Sequence, residues 1–73
     1  SPAALMVETA RKYKSNIQIS YDERKVDAKS ILSLLSLGVN KNANIIISAE
    51  GEDEIEAIES LKKLIESNFG ESE

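Results

Sequence analysis

The residue types that could do chemistry in this sequence are few. Its 73 residues contain no Cys and no His. Without an imidazole or a thiolate, the Ser-His and Cys-His forms of nucleophilic catalysis lack a base or a nucleophile. The usual protein ligands of zinc, iron and copper are absent for the same reason. We therefore expect no metal site, no cofactor and no catalytic activity from the chain as written.

Carboxylates are the remaining acid/base groups, and five of them lie close together. They are Glu50, Glu52, Asp53, Glu54 and Glu56. Acidic residues are usual in the first turn of a helix, where they oppose the positive end of the helix dipole. The segment also lacks the D-x-D-x-D-G spacing of a calcium loop. We interpret it as a helix start rather than as a metal or acid/base site.

Ser30 is the side chain of greatest chemical interest. It directly precedes an apolar helical segment, so its first predicted role is that of an N-cap. A phosphoryl group at that position would meet free N–H groups and the positive end of the dipole, which would accommodate its charge of about −1.5 to −2. Three cations lie close in sequence and could assist, namely Arg24, Lys25 and Lys29.

The segment after Ser30 has more aliphatic side chains than a short helix can bury. Leu34 and Leu37 are the better candidates for the core. Ile31, Leu32 and Leu35 are either further core residues or an exposed patch that docks on a partner.

Overall charge and hydropathy narrow the class of partner. The chain has 13 acidic and 9 basic residues, a formal charge of −4. Nucleic-acid binding needs a positive face, so this balance favours protein partners.

The sequence also bears on membrane association. The longest apolar runs of the chain are far too short to span a bilayer, and residues 1–12 lack the apolar centre of a signal peptide. We expect a cytoplasmic protein without a membrane segment.

Periodicity predicts the elements that position these residues. A first helix starts at Ser1-Pro2 and has Arg11, Lys12 and Lys14 in its last turn. Alternating residues from Asn16 predict a strand, followed by a turn at Asp22-Glu23 and a short strand around residues 25–27. Residues 30–38 form the apolar helix, which Gly38 terminates.

The last third of the chain adds a strand and a helix. The β-branched run of residues 45–47 is typical of a strand that is covered on both sides or central in its sheet. After Gly51, a final helix turns an apolar stripe inward, made of Ile55, Ile58, Leu61 and Ile65. The predicted fold is a single α+β domain over residues 1–73, a two-layer open-faced sandwich with an antiparallel sheet and three helices on one face.

Several runs resemble the HPr family of bacterial phosphocarrier proteins. They are VDAKSIL at 26–32, LGV at 37–39 and ISAEGEDE at 47–54. The opening Ser1-Pro2-Ala3-Ala4 is similar to the Arg-Pro-Ala-Ala that follows the active-site histidine loop in that family. The resemblance implies that the family's first strand and phospho-accepting histidine would precede Ser1, so both are absent from this chain as written. The lack of an initiating Met favours a shortened form.

The resemblance also implies function. Members relay phosphate in the phosphoenolpyruvate-dependent sugar phosphotransferase system. Ser30 matches the serine phosphorylated by HPr kinase/phosphorylase. Ile31, Leu32 and Leu35, together with Lys29, match the helix region that docks on Enzyme I, on EIIA domains and on the catabolite-control repressor.

Three alternatives follow for this chain. It is part of a phosphocarrier, a regulatory module of the Crh type that also lacks the histidine, or an unrelated α+β interaction domain. The family's sheet order, 1-4-2-3, would leave residues Asn44 to Glu50 as an exposed edge once the first strand is absent. An apolar edge strand tends to pair with another chain, so we expect the chain either to self-associate through this edge, for example as a homodimer, or to borrow a strand from elsewhere.

Overall fold

The computed structural model describes residues 1–38 and 43–67, and these form three helices and a three-stranded antiparallel sheet. The predicted range 1–73 also includes residues 39–42 and 68–73, which lie outside the described residues. The elements are α1 (Pro2–Ala10), β1 (Asn16–Tyr21), β2 (Arg24–Asp27), α2 (Ile31–Leu37), β3 (Ile46–Glu50) and α3 (Glu54–Glu66). Their order and the α+β open-faced sandwich are as predicted.

The sheet has the order β2-β1-β3, with β1 antiparallel to both neighbours. The β1–β2 hairpin turns at Asp22, whose φ of 56° lies in the left-handed region that Asp tolerates better than most residues. β3 lies at an edge, as the resemblance to the family's sheet order implied. The interpretation of its β-branched run as central or covered on both sides is wrong. Its Ile46 is 66% exposed because alternate residues of a strand face opposite sides of the sheet.

The core lies between the sheet and the helices. Its buried hydrophobic residues form one cluster, made of Met6, Val7, Ala10, Ile17, Ile19, Ala28, Leu34, Leu37, Ala57 and Leu61. Leu34 and Leu37 are the α2 contribution, as predicted. A chain of this length is expected to unfold with a free energy of roughly 4 to 11 kcal/mol, at 0.05 to 0.15 kcal/mol per residue.

Helix α1 ends earlier than predicted. Arg11 is its C-cap, and Lys12 and Lys14 follow it, so none of the three lies in the last turn. The amides of Lys12 and Tyr13 bond to the carbonyls three residues back, and this tighter pattern ends the α-helix. At the other end, Ser1 occupies the N-cap position, but its side chain makes no capping bond.

Helix α3 also departs from the prediction in two respects. Glu52 and Asp53 precede it, so the acidic residues of its first turn are Glu54 and Glu56. The predicted inward position of Ile55 is wrong, because this side chain is 70% exposed. The fully buried Leu61 lies six positions later, which places the two side chains about 120° apart around the helix. Ala57 lies one turn before Leu61 and is buried in its place.

Candidate functional site

A tight turn of residues 27–30 presents Ser30 at the start of α2. The Asp27 carboxylate accepts from the Lys29 amide at 2.9 Å, and the Asp27 carbonyl accepts from the Ser30 amide at 3.2 Å. The amide of Ala28 continues the sheet by donating to the Ile17 carbonyl at 2.9 Å. The turn is therefore fixed from within and by its bond to β1.

Two long-range hydrogen bonds anchor this turn to the segment that connects α1 and β1. The Lys29 ammonium donates to the Tyr13 carbonyl at 2.7 Å. In the opposite direction, Arg11 Nε donates to the Lys29 carbonyl at 3.0 Å. The residue that precedes Ser30 is thus held on both its side chain and its backbone.

Ser30 is the N-cap of α2, as predicted. Its backbone is extended (φ −113°, ψ 113°), and its Oγ accepts from the Ser33 amide at 3.2 Å. The side chain is half-buried, and α2 ends at Gly38 in the left-handed conformation (φ 65°). The hydroxyl therefore lies at the surface with a defined orientation.

The first turns of α2 carry an exposed aliphatic surface, which we call the α2 patch. It consists of Ile31, Leu32 and Leu35, whose side chains are 36%, 77% and 58% exposed. Residues three and four apart lie on one face of a helix, so these side chains are neighbours. Of the two interpretations left open by the sequence, core or surface, the structure shows a surface directly beside Ser30.

The other two cations near Ser30 in sequence are not near it in the fold. The guanidinium of Arg24 bonds to Ser36 at the opposite end of α2, with Nη1 donating to the carbonyl at 2.7 Å and Nη2 to Oγ at 3.3 Å. Lys25 lies opposite Ser20 in the hairpin, on the sheet face that points away from the helices. Arg24 instead fixes the C-terminal end of the helix that carries the α2 patch.

Asp53 links the start of α3 to the same connecting segment. Its carboxylate accepts from the Ser15 hydroxyl at 2.5 Å and from the amides of Lys14 and Ser15 at 2.8 and 2.9 Å. The Ser15 hydroxyl, with help from the two amides, lowers the pKa of Asp53 from its ordinary 3.8 to about 2. Ser15 itself is buried. We call this arrangement the Asp53 junction.

The acidic segment has a structural explanation. Asp53 belongs to the junction, and the Glu54 carboxylate accepts from the Gly51 amide at 3.1 Å, which closes the turn into α3. Within residues 1–38 and 43–67, no three carboxylates are arranged to hold a metal ion. In the same ranges, no helix has the length and apolar character needed to cross a bilayer.

The chemistry available at Ser30 is that of a hydroxyl whose hydrogen-bond partner is a backbone amide. A serine hydroxyl is a weak nucleophile unless a base activates it. Ser30 has a backbone amide as its partner, and the sequence contains no imidazole. Ser30 is therefore a surface hydroxyl without an activating base among the partners that the structure shows for it.

Sequence reasoning missed two features of this region. Arg11 was predicted in the last turn of α1, yet its side chain bonds to Lys29, 18 residues away. No periodic pattern marks Ser15, although it bonds to Asp53, 38 residues away. The local sign of these bonds is that two polar residues, Lys14 and Ser15, directly precede β1.

Comparison with known proteins identifies relatives of this chain. The family model described as the PTS HPr component phosphorylation site matches residues 1–67. An HPr dimer from Thermoanaerobacter tengcongensis is 54% identical with a TM-score of 0.92, and the match covers 96% of this chain and 80% of that one. An HPr from Bacillus anthracis is 42% identical with a TM-score of 0.80, covering 82% and 71%.

A relative of a second type also matches. The Bacillus subtilis catabolite-repression protein Crh, described as a dimer with a swapped domain, is 41% identical with a TM-score of 0.84. The match covers 90% of this chain and 76% of that one.

Proposed function

The chain belongs to the HPr family, and on that premise we propose that it forms the partner-docking and regulatory part of a phosphocarrier of the phosphoenolpyruvate-dependent sugar phosphotransferase system. The observation that carries this proposal is the exposed α2 patch directly after a serine N-cap. Since no residue of the sequence is a histidine, the described residues bind partners and are modified, and none of them relays phosphate through an imidazole.

The α2 patch is the proposed docking surface for Enzyme I, EIIA domains and the catabolite-control repressor, which would act on this protein in the cytoplasm. Exposed aliphatic side chains lose unfavourable contact with water when a partner covers them, at about 25 cal/mol per Å² of apolar surface. Arg11 donates to the Lys29 carbonyl just before α2, and Arg24 donates to the Ser36 carbonyl near its end. These bonds hold the helix in place before a partner binds. A surface that is already ordered loses less conformational entropy on binding.

A substitution with a matched control tests this docking role. Leu32→Ala should weaken binding of Enzyme I at least about fivefold, the effect of losing more than roughly 1 kcal/mol at an important contact. Ile55→Ala removes a side chain of similar exposure on α3, away from the patch, and should leave binding unchanged. Titration calorimetry measures both. Equal affinities for the two variants would refute the docking role.

Ser30 is the proposed site of regulatory phosphorylation by HPr kinase/phosphorylase. The Ser30 oxygen would take the terminal phosphoryl group of a nucleoside triphosphate and release its proton, and the nucleotide would leave as the diphosphate. Intact-mass measurement should show one added phosphoryl group on the unmodified chain and on Ser36→Ala, but none on Ser30→Ala. Family membership already excludes the unrelated interaction domain. An unmodified Ser30 after incubation with active kinase would refute the regulatory role.

A Crh-type regulatory module is the second candidate, favoured by the 41% identity to Crh. The two candidates differ in their partners. A phosphocarrier part should bind Enzyme I through the α2 patch before any modification. A Crh-type module should instead bind only the catabolite-control repressor, and only after Ser30 is phosphorylated. The calorimetric titration with Enzyme I therefore separates them.

Self-association through β3 is the last part of the proposal. Two relatives are described as dimers, the Thermoanaerobacter HPr and Crh. Within the described residues, β3 pairs on one side only and exposes Ile46. Sedimentation at increasing concentration should show a dimer, and Ile46→Lys should favour the monomer, because edge lysines oppose strand pairing. A single monomeric species at high concentration would contradict this.

A further inference from the structure

Arg11 holds a guanidinium group next to Ser30. Its Nε donates to the carbonyl of Lys29, the residue bonded directly to the Ser30 nitrogen. A guanidinium has five N–H donors, so this bond leaves four others. The structure shows no partner for these four among residues 1–38 and 43–67, and Arg11 is exposed.

The other nearby charged groups are less suited to an anion. The Lys29 ammonium is tied to the Tyr13 carbonyl and keeps two of its three donors, and Arg24 is at the far end of α2. The Asp27 carboxylate lies in the same turn and would repel a phosphate. Of the cations around Ser30, Arg11 has the most free donors, four against two for Lys29, and its donors lie in one plane.

We propose that Arg11 binds a phosphoryl group carried by Ser30, with its Nη groups donating to phosphate oxygens while Nε stays on the Lys29 carbonyl. This inference rests on the proposed modification of Ser30 and adds the residue that receives it. A planar guanidinium matches two phosphate oxygens at once, which an ammonium does not. This role needs no contribution from the amides at the start of α2, one of which, that of Ser33, donates to Ser30 Oγ.

The bound phosphate would change the surface beside the α2 patch. Arg11 would neutralise part of its charge and hold it against the turn, so that Ile31 and Leu32 keep their positions. A partner would then meet the same aliphatic side chains beside an ordered anion. Arg11 would thus hold the phosphate of the modified Ser30 in one position.

The test uses the full chain with phosphoserine incorporated at position 30 during translation. Phosphorus NMR then follows the second ionisation of the phosphate, whose pKa is ordinarily about 6. A neighbouring cation favours the dianion and lowers this pKa. Arg11→Gln should therefore raise it by about half a unit, a modest shift because the pair is exposed to solvent.

Lys12→Gln is the matched control. It removes the same charge from the next residue, whose side chain is exposed and whose amide bonds within the end of α1. The expected shift for this variant is less than a third of that for Arg11→Gln, and Arg11→Lys should give an intermediate value. Equal shifts for Arg11→Gln and Lys12→Gln would overturn the proposal, since they would show only a general effect of charge.

This experiment can refute the role of Arg11 without refuting the proposed function, and the reverse also holds. Translational insertion of phosphoserine needs no kinase. A kinase that ignores Ser30 would therefore refute the regulatory role and leave the Arg11 result standing. A phosphorylated Ser30 whose pKa is indifferent to Arg11 would refute this inference alone. Circular dichroism of each variant establishes that the comparison is made between folded proteins.

Discussion

Two glycines allow a matched test of how the Asp53 junction is packed. Gly51 lies between β3 and α3 with a φ of 152°, and a Cβ there would lie 2.5 Å from Ser15 Oγ and 2.8 Å from Ser15 Cα. Gly38 ends α2 with a φ of 65°, and a Cβ there would meet no described atom within 4 Å. Alanine at the two positions therefore differs mainly in the steric contact.

The expected loss of stability follows from these contacts. Gly38→Ala places an L-residue in the left-handed region, which costs roughly 1 to 2 kcal/mol. Gly51→Ala combines backbone strain of about 1 to 3 kcal/mol with overpacking of about 1 to 3 kcal/mol, because Ser15 Cα belongs to the backbone and cannot rotate away. The sum, about 2 to 6 kcal/mol, is a large part of the roughly 4 to 11 kcal/mol expected for the whole chain.

Urea unfolding followed by circular dichroism measures the difference. With a slope of about 1 kcal/mol per molar urea, suited to a small protein, the midpoint should fall by about 1 to 2 M for Gly38→Ala and by at least about 2 M for Gly51→Ala. In Gly51→Ala the Ser15 amide should also exchange faster with solvent. Coinciding midpoints would show that Ser15 moves aside without cost and that the close approach is not structurally required.

Three further predictions concern stability. The pKa of Asp53 is about 2 when folded, below its ordinary 3.8, so its carboxylate stabilises the fold above about pH 4 and this contribution disappears as the pH falls through 2. Asp53→Asn should be less stable than the unmodified chain at neutral pH, and urea midpoints should converge near pH 2; a constant gap would argue against this origin. Ser30→Ala should cost about 0.5 to 2 kcal/mol through the lost cap, measured by urea unfolding, and an unchanged midpoint would contradict a capping role. Leu61→Ala should cost about 2 to 5 kcal/mol because it leaves a cavity, whereas Ile55→Ala should stay within about 0.5 kcal/mol; similar melting temperatures in calorimetry would refute the assigned burial.

Features decided by neighbouring residues were predictable from the sequence. Ser30 caps α2 because its hydroxyl needs only the amide three residues later. Gly38 ends the same helix because a left-handed residue is required there. The turn at Asp22 is a further local feature that agrees with the prediction. The sheet order is not a local feature, and it was predicted only through the resemblance to the HPr family.

Features decided by distant residues were not predictable. The contact between Arg24 and Ser36 depends on how β2 packs beside α2, and local spacing had suggested a role near Ser30 instead. Ile55 fits an apolar stripe when α3 is considered alone, yet the helix packs on the face of Ala57 and Leu61. A periodic pattern allows several faces, and tertiary packing selects one of them.

The position of Ser30 depends on contacts that begin in α3. Asp53 holds the amides of Lys14 and Ser15, the adjoining carbonyl of Tyr13 accepts from the Lys29 ammonium, and Lys29 directly precedes Ser30. Loosening the Asp53 junction should therefore loosen the turn that presents Ser30, although the hydrogen bonds of the Asp53 carboxylate go to Lys14 and Ser15 and not to the α2 patch. Binding of a partner would then have to order this turn, which costs affinity. The segment that connects α1 and β1 therefore links the stability of the start of α3 to docking at α2.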